Sequence, residues 1–149
     1  MTAYLELSAG AASVDDAHAP PEDNTSLRFP ADGTEYSCGW TKFVPASLRS
    51  PSSLTLRLNF IDEGVGAGVV QYDFEWYNSG DSGPILAFGS HTLLVTVPNV
   101  ATTIIQADID IASWIHASTT TFFLSMSRDS SNPQDTFAHA QAFSIARAF

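Results

Sequence analysis

Leu54, Leu56, Leu58 and Phe60 alternate with Thr55, Arg57 and Asn59, and further on Val70, Tyr72, Phe74 and Trp76 alternate with Val69, Gln71, Asp73 and Glu75. A period of two places each set on one face of an extended strand, with the apolar face towards a core and the other towards water. A helix repeats its faces every 3.6 residues, so neither segment can be an amphipathic helix. Two such strands commit the chain to sheet, and their apolar faces require a second layer to cover them.

Between these strands stands Ile61-Asp-Glu-Gly-Val-Gly-Ala-Gly-Val-Val70, with three alternate glycines behind two carboxylates. A dinucleotide cradle needs a helix after its glycines, because the helix N-terminus supplies the N–H groups and the dipole that hold a pyrophosphate. A strand pattern follows here instead, which removes that reading. A calcium loop is the remaining alternative, but two adjacent carboxylates without further regularly spaced oxygens fall short of the six to eight ligands the ion takes. The segment reads as a hairpin connection, with the glycines supplying tight-turn geometry.

Further strand patterns cover residues 36–43, 91–97, 102–111, 121–127 and 137–149, and only 112–117 reads as a short helical turn. Turn-forming sets separate them: Asn-Ser-Gly-Asp-Ser-Gly-Pro at 78–84, Pro98-Asn99, and the polar run at 128–135. No internal repeat is visible. Many short strands without long amphipathic helices predict an all-β fold, an antiparallel β-sandwich that is jelly-roll-like, with an extended N-terminal arm. In the last strand Ala138, Ala140, Ala142, Ser144, Ala146 and Ala148 are all small. A small-residue face permits close approach, more readily within the chain's own core than between subunits.

The arm occupies residues 1–26 and the sandwich domain 27–149. Residues 8–25 are rich in Ala, Ser, Pro, Asp and Glu and keep neither hydrophobic period. Ahead of them Tyr4, Leu5 and Leu7 form a small apolar patch. It is expected either to dock, on the chain's own body or as a capsid or subunit contact, or to fray as a terminus.

At 149 residues the chain is one domain's worth of sequence, enough to bury a core. Its 16 acidic residues against 6 Lys and Arg, with Lys42 the sole lysine, give a net charge of −10. That sign repels nucleic acid and anionic membrane, so neither is an expected partner. No signal peptide and no run of about 18 apolar residues is visible, so the expectation is a soluble protein made in the cytoplasm.

Chemistry-bearing residues are sparse. Cys38 stands alone, which excludes an intrachain disulfide and favours a buried small hydrophobe over a reactive thiol. His18, His91, His116 and His139 are scattered without metal-ligand spacing. The pairs Asp73 with Glu75 and Asp108 with Asp110 each share a strand face. Paired carboxylates could serve glycoside hydrolysis, but a solvated strand face explains both pairs. Trp76 is expected in the core. Trp40 and Trp114 are expected there too, with sugar stacking as the alternative use of their rings. No nucleophile elbow, zinc-protease motif or phosphate loop is present, so neither an enzyme nor a cofactor or metal site is expected.

The order Phe29-Pro30, Gly39-Trp-Thr-Lys-Phe-Val-Pro45, Leu54-Thr-Leu-Arg-Leu-Asn-Phe60, Val70-Gln-Tyr-Asp-Phe74, Ile104-Ile-Gln-Ala-Asp-Ile109 and a closing Ala-rich strand resembles small β-sandwich virion proteins of tailed bacteriophages. The resemblance spans about 27–149 and rests on compositional patterns. It implies a head decoration (cement) or fibre-tip module, commonly a homotrimer, that binds the major capsid protein, its own neighbours or host-surface glycans. The absence of a heptad stalk favours the capsid surface. The alternative is a receptor- or carbohydrate-binding tip using Trp40 and Trp114, and the third reading is a glycan-active enzyme. In a homotrimer of such acidic chains, apolar contact or pairing of Arg28, Arg49, Arg57, Arg128 and Arg147 with neighbouring acids would offset repulsion.

Overall fold

A computed structural model describes residues 5–14, 20, 22–23, 26–49, 51, 53–81, 83–100 and 103–149. The strands are β1 (Leu5–Ser8), β2 (Ser13–Val14), β3 (Glu22–Asp23), β4 (Ser26–Phe29), β5 (Glu35–Phe43), β6 (Thr55–Asp62), β7 (Gly68–Ser79), β8 (Ile85–Val97), β9 (Ile104–Asp110), β10 (Thr121–Asp129) and β11 (Gln141–Ala148). Short 3-10 turns cover Ala9–Ala11, Ala46–Leu48 and Ala112–Trp114, the last within the segment expected to turn helically.

One sheet runs β3-β4-β11-β6-β9, with β1 also paired to β11, and the other runs β2-β5-β10-β7-β8. All the pairings are antiparallel. From β4 to β11 each successive strand crosses to the opposite sheet, except at the β7–β8 hairpin. The two four-stranded layers β4-β11-β6-β9 and β5-β10-β7-β8 are thus a jelly roll, the expected fold class.

The strand order corrects the expected hairpin at 61–70. β6 and β7 lie in different sheets, and the glycine segment carries the chain from one layer to the other. The apolar faces of the two strands cover each other across the core rather than lying side by side. Phe60 stacks on Tyr72 with centroids 4.6 Å apart and planes at 14°. Gly68 is needed for close approach, since a Cβ there would lie 2.8 Å from the Phe137 Cα. The Glu63 N–H donates to the Ala140 carbonyl at 2.9 Å, fixing residues 137–140 over the crossing. Those four residues therefore leave the ladder, and the last strand starts at Gln141 rather than Phe137.

A register shift between Phe143 and Ile145 breaks the alternation of β11. Phe143 faces the core before it, and Ala146 and Ala148 face the core after it. Ala146 sits between Leu7 and Leu58, and Ala148 between Leu5 and Leu56. The small side chains in this half of the strand serve the chain's own interior, as favoured above.

The division at residue 26 does not hold. β1 pairs with β11, β2 with β5, and β3 with β4, so segments on both sides of that boundary belong to the same sheets. Leu5 and Leu7 are 5% and 2% exposed and pack in the main core.

Polar side chains also enter the interior. Arg128 is fully buried beside Asp135. Tyr72 donates its hydroxyl to Gln141 Oε1 at 2.8 Å, and Gln141 Nε2 donates to Asp62 Oδ1 at 2.6 Å. Burial pushes the Asp62 carboxyl above its usual range, against the lowering effect of the Gln141 hydrogen bond.

Candidate functional site

The outer faces of the two sheets differ in kind. On the six-stranded sheet, period two turns Arg57, Asn59, Gln106 and Asp108 outward, and they meet across β6 and β9. Arg57 Nε and Nη2 each donate to Asp108 at 2.9 Å, and this pairing holds the Asp108 carboxyl below its usual range and raises the Arg57 guanidinium. Gln106 Nε2 donates to Asn59 Oδ1 at 3.2 Å. Arg147 lies 3.6 Å from Glu6, and Arg28 pairs with Glu63 at 2.5 Å. These ion pairs occupy part of the face, and Ile104 stands 72% exposed on it.

The outer face of the five-stranded sheet has two halves. In one, Phe88 on β8 stands opposite Tyr77 on β7, which stands opposite Phe123 on β10, making an aromatic row across three strands. The Tyr77 and Phe123 rings stack at 4.5 Å and 16°. Phe88 is 80% exposed, Phe43 68% and Ile85 55%. A groove of about 480 Å³ runs among Tyr77, Ile85, Phe88 and Phe123, with Glu75 at its margin.

The row is backed from inside. Trp76 packs against the backbone of Gly89, where a Cβ would lie 2.8 Å from its ring, and stacks on Trp114 at 5.3 Å and 10°. Glycine at 89 lets the indole lie flush beneath β8.

The other half is acidic. Glu35, Asp73, Glu75 and Asp129 border a groove of about 390 Å³ with His91 and Thr92. Asp73 accepts from Gln71 Nε2 at 3.1 Å and from Thr92 Oγ1 at 3.0 Å. Asp73 and Glu75 share this outward face as the alternation requires. Asp110, on the opposite sheet, accepts the Ala112 N–H at 3.0 Å.

The residues singled out in the sequence lie elsewhere. Tyr4 and His18 fall outside the described residues. The proposed capsid or subunit contact at Leu5 and Leu7 is corrected: β1 completes the chain's own sheet, and both leucines are buried in it. The alternative glycan contact at Trp40 and Trp114 is corrected as well. Trp40 is 2% exposed and donates its indole N–H to the Ser8 carbonyl at 2.8 Å, while Trp114 is 6% exposed beneath Trp76. Neither has an open ring face for a sugar.

Cys38 is buried, and burial pushes its thiol up to about 12, far from a reactive thiolate. His91 approaches Trp114 at 5.8 Å, and His139 donates through Nε2 to the Val65 carbonyl at 3.1 Å. Among the described residues, no three His, Cys, Asp or Glu side chains gather as a metal-ligand set.

Sequence reasoning missed Tyr77, Ile85, Phe88 and Phe123. The signal was Ile85-Leu-Ala-Phe88, an apolar run with no polar partner to alternate with, so the strand was expected to start only at His91. It starts at Ile85.

No protein-family profile and no curated protein matches the sequence. Among solved structures the chain is similar to the enzymatically active domain of bacteriophage CBA120 tailspike protein 4 (11% identity, TM-score 0.42, 97% of this chain and 19% of that one). It is similar also to a protein of the infectious bursal disease virus Gx strain (15%, 0.42, 98% and 31%). A third is a family two carbohydrate esterase from Cellvibrio japonicus (11%, 0.49, 99% and 33%). The chain spans about a fifth to a third of the length of these proteins. The jelly-roll assignment rests on the strand order, and no function is carried over from them.

Proposed function

We propose that the chain is a structural module of a tailed-phage virion, a capsid decoration or cement protein that acts as a homotrimer on the head surface and binds the major capsid protein. The observation that carries this reading is the aromatic row Phe88–Tyr77–Phe123 on the outer face of the five-stranded sheet, with Phe88 80% exposed. An exposed apolar patch rimmed by polar residues marks a surface meant for contact. The motif order around Trp40, Phe60 and Ile109 that resembles phage virion β-sandwiches supports the same reading. In it the chain is not an enzyme. The acids on the strand faces keep the molecule soluble and steer it away from nucleic acid and membrane.

The glycan-binding tip loses its two tryptophans to the core. Two of the exposed rings do not replace them, while Phe88 and Phe43, 80% and 68% exposed, keep open surface. Tyr77 and Phe123 turn faces towards each other, and Phe123 also lies over Gly39, so they offer edges rather than the open face on which a sugar stacks.

Cosedimentation with heads assembled from the major capsid protein of the same genome tests the proposal. Saturable binding to heads, with no hit on a glycan array, is the expected result. Glycan binding without head binding would replace it with the receptor-binding reading.

A further inference from the structure

We infer that copies of this chain meet one another through the Phe88–Tyr77–Phe123 row and the adjoining start of β8. This rests on the assembly reading above and names the occupant of its surface. Ile85, Leu86, Phe88, Tyr77 and Phe123 carry no ionisable acid or base at neutral pH, in a chain of net charge −10. Two such chains repel wherever their carboxylates face each other, and in this part of the sheet the groove is lined by a single carboxylate, Glu75 at its margin. A basic foreign partner would be drawn instead to the acidic half of the same face, around Asp73, Glu75, Glu35 and Asp129. Charge therefore sorts the two halves: the acidic half for solvent or cations, the uncharged half for a like surface.

The backbone supports the same occupant. Among the described residues β8 is the outermost strand of its sheet, and Ile85–Val97 contains no proline and no Asp, Glu, Lys or Arg. Proline and charge are what proteins use to keep such an edge from pairing, and this one lacks both. Tyr77 and Phe123 hold each other by stacking, so those two rings lose little side-chain freedom on contact.

The test is the mass of the full chain by sedimentation velocity over a concentration series, for wild type, Phe88→Asp, Phe123→Ser and Ile104→Ser. Ile104 is 72% exposed on the other sheet and serves as the control. Wild type and Ile104→Ser should associate alike. Phe88→Asp should weaken association by about thirtyfold or more, the scale of a lost aromatic anchor, with an unchanged far-UV spectrum. Phe123→Ser keeps the test valid if Phe88→Asp folds poorly. Association unaffected by both substitutions overturns the inference and leaves an oligomer built on another face. A wild-type chain that stays monomeric yet cosediments with heads overturns it too, while the head-binding part of the functional reading stands.

Discussion

Arg128 and Asp135 form a two-point ion pair in the sandwich interior, Nε to Oδ2 and Nη2 to Oδ1 both at 2.9 Å, with both side chains fully buried. The remaining donors are also used: Nη1 reaches the carbonyls of Phe29 and His139, and Nη2 that of Phe137, each at 3.0 Å. Every guanidinium N–H therefore has an acceptor, as a buried cation requires. One side chain ties β4, β10 and the segment before β11 together.

Arg128→Met should therefore cost about 3–5 kcal/mol, because it strands a buried carboxylate and three carbonyls. Urea unfolding measures it. A loss below about 1 kcal/mol would mean that water reaches the site. Arg128 is also unavailable to pair with a neighbouring subunit, which corrects its place among the arginines expected at a trimer interface.

Leu7→Ala should destabilise the chain by about 2–5 kcal/mol, the usual cost of emptying a buried leucine site. Thermal unfolding of the variant reads this directly. A change of a few tenths would restore the picture of an arm independent of the body.

Asp73→Asn combined with Glu75→Gln should shift stability by no more than about 0.5 kcal/mol, as surface changes usually do. Polysaccharide-cleaving activity in the wild type that disappears in this variant would reinstate the hydrolase reading.

The pH dependence follows from Asp62. Its carboxyl is raised by burial, so it holds its proton more tightly in the folded than in the unfolded chain. Its contribution to stability is fully present below the unfolded value of about 4 and is lost as pH rises through the folded value. Asp108, lowered by Arg57, and Asp32, lowered by the Tyr36 hydroxyl, act in the opposite sense and lose their contribution as pH falls. Asp62→Asn should therefore gain on wild type as pH is raised from about 4 through the folded value of the carboxyl. A difference that stays flat would place Asp62 in contact with water.

The fold class was legible because β6, β7 and β10 each alternate strictly enough to declare a buried face. Which sheet each strand joins was not legible. Two apolar faces in succession are compatible with neighbours in one sheet or with partners across a core, and the choice at 61–70 depends on Phe137 and Ala140, far along the chain. Leu5 and Leu7 showed the right period, but over too few residues to separate a strand from a frayed end. Arg128 and Asp135 looked like loop residues because their burial depends on carbonyls from three separate segments. Phe88 was hidden by a run with no polar residue against which to alternate.

The claim that the outer face of the five-stranded sheet is the contact surface is tested most directly by hydroxyl-radical footprinting of side chains, in dilute solution and at associating concentration. Oxidation of Phe88, Tyr77 and Phe43 should fall on association while Phe149, 45% exposed near Arg57 beside the other sheet, is oxidised as before. Protection of Phe149 with Phe88 still open would contradict it.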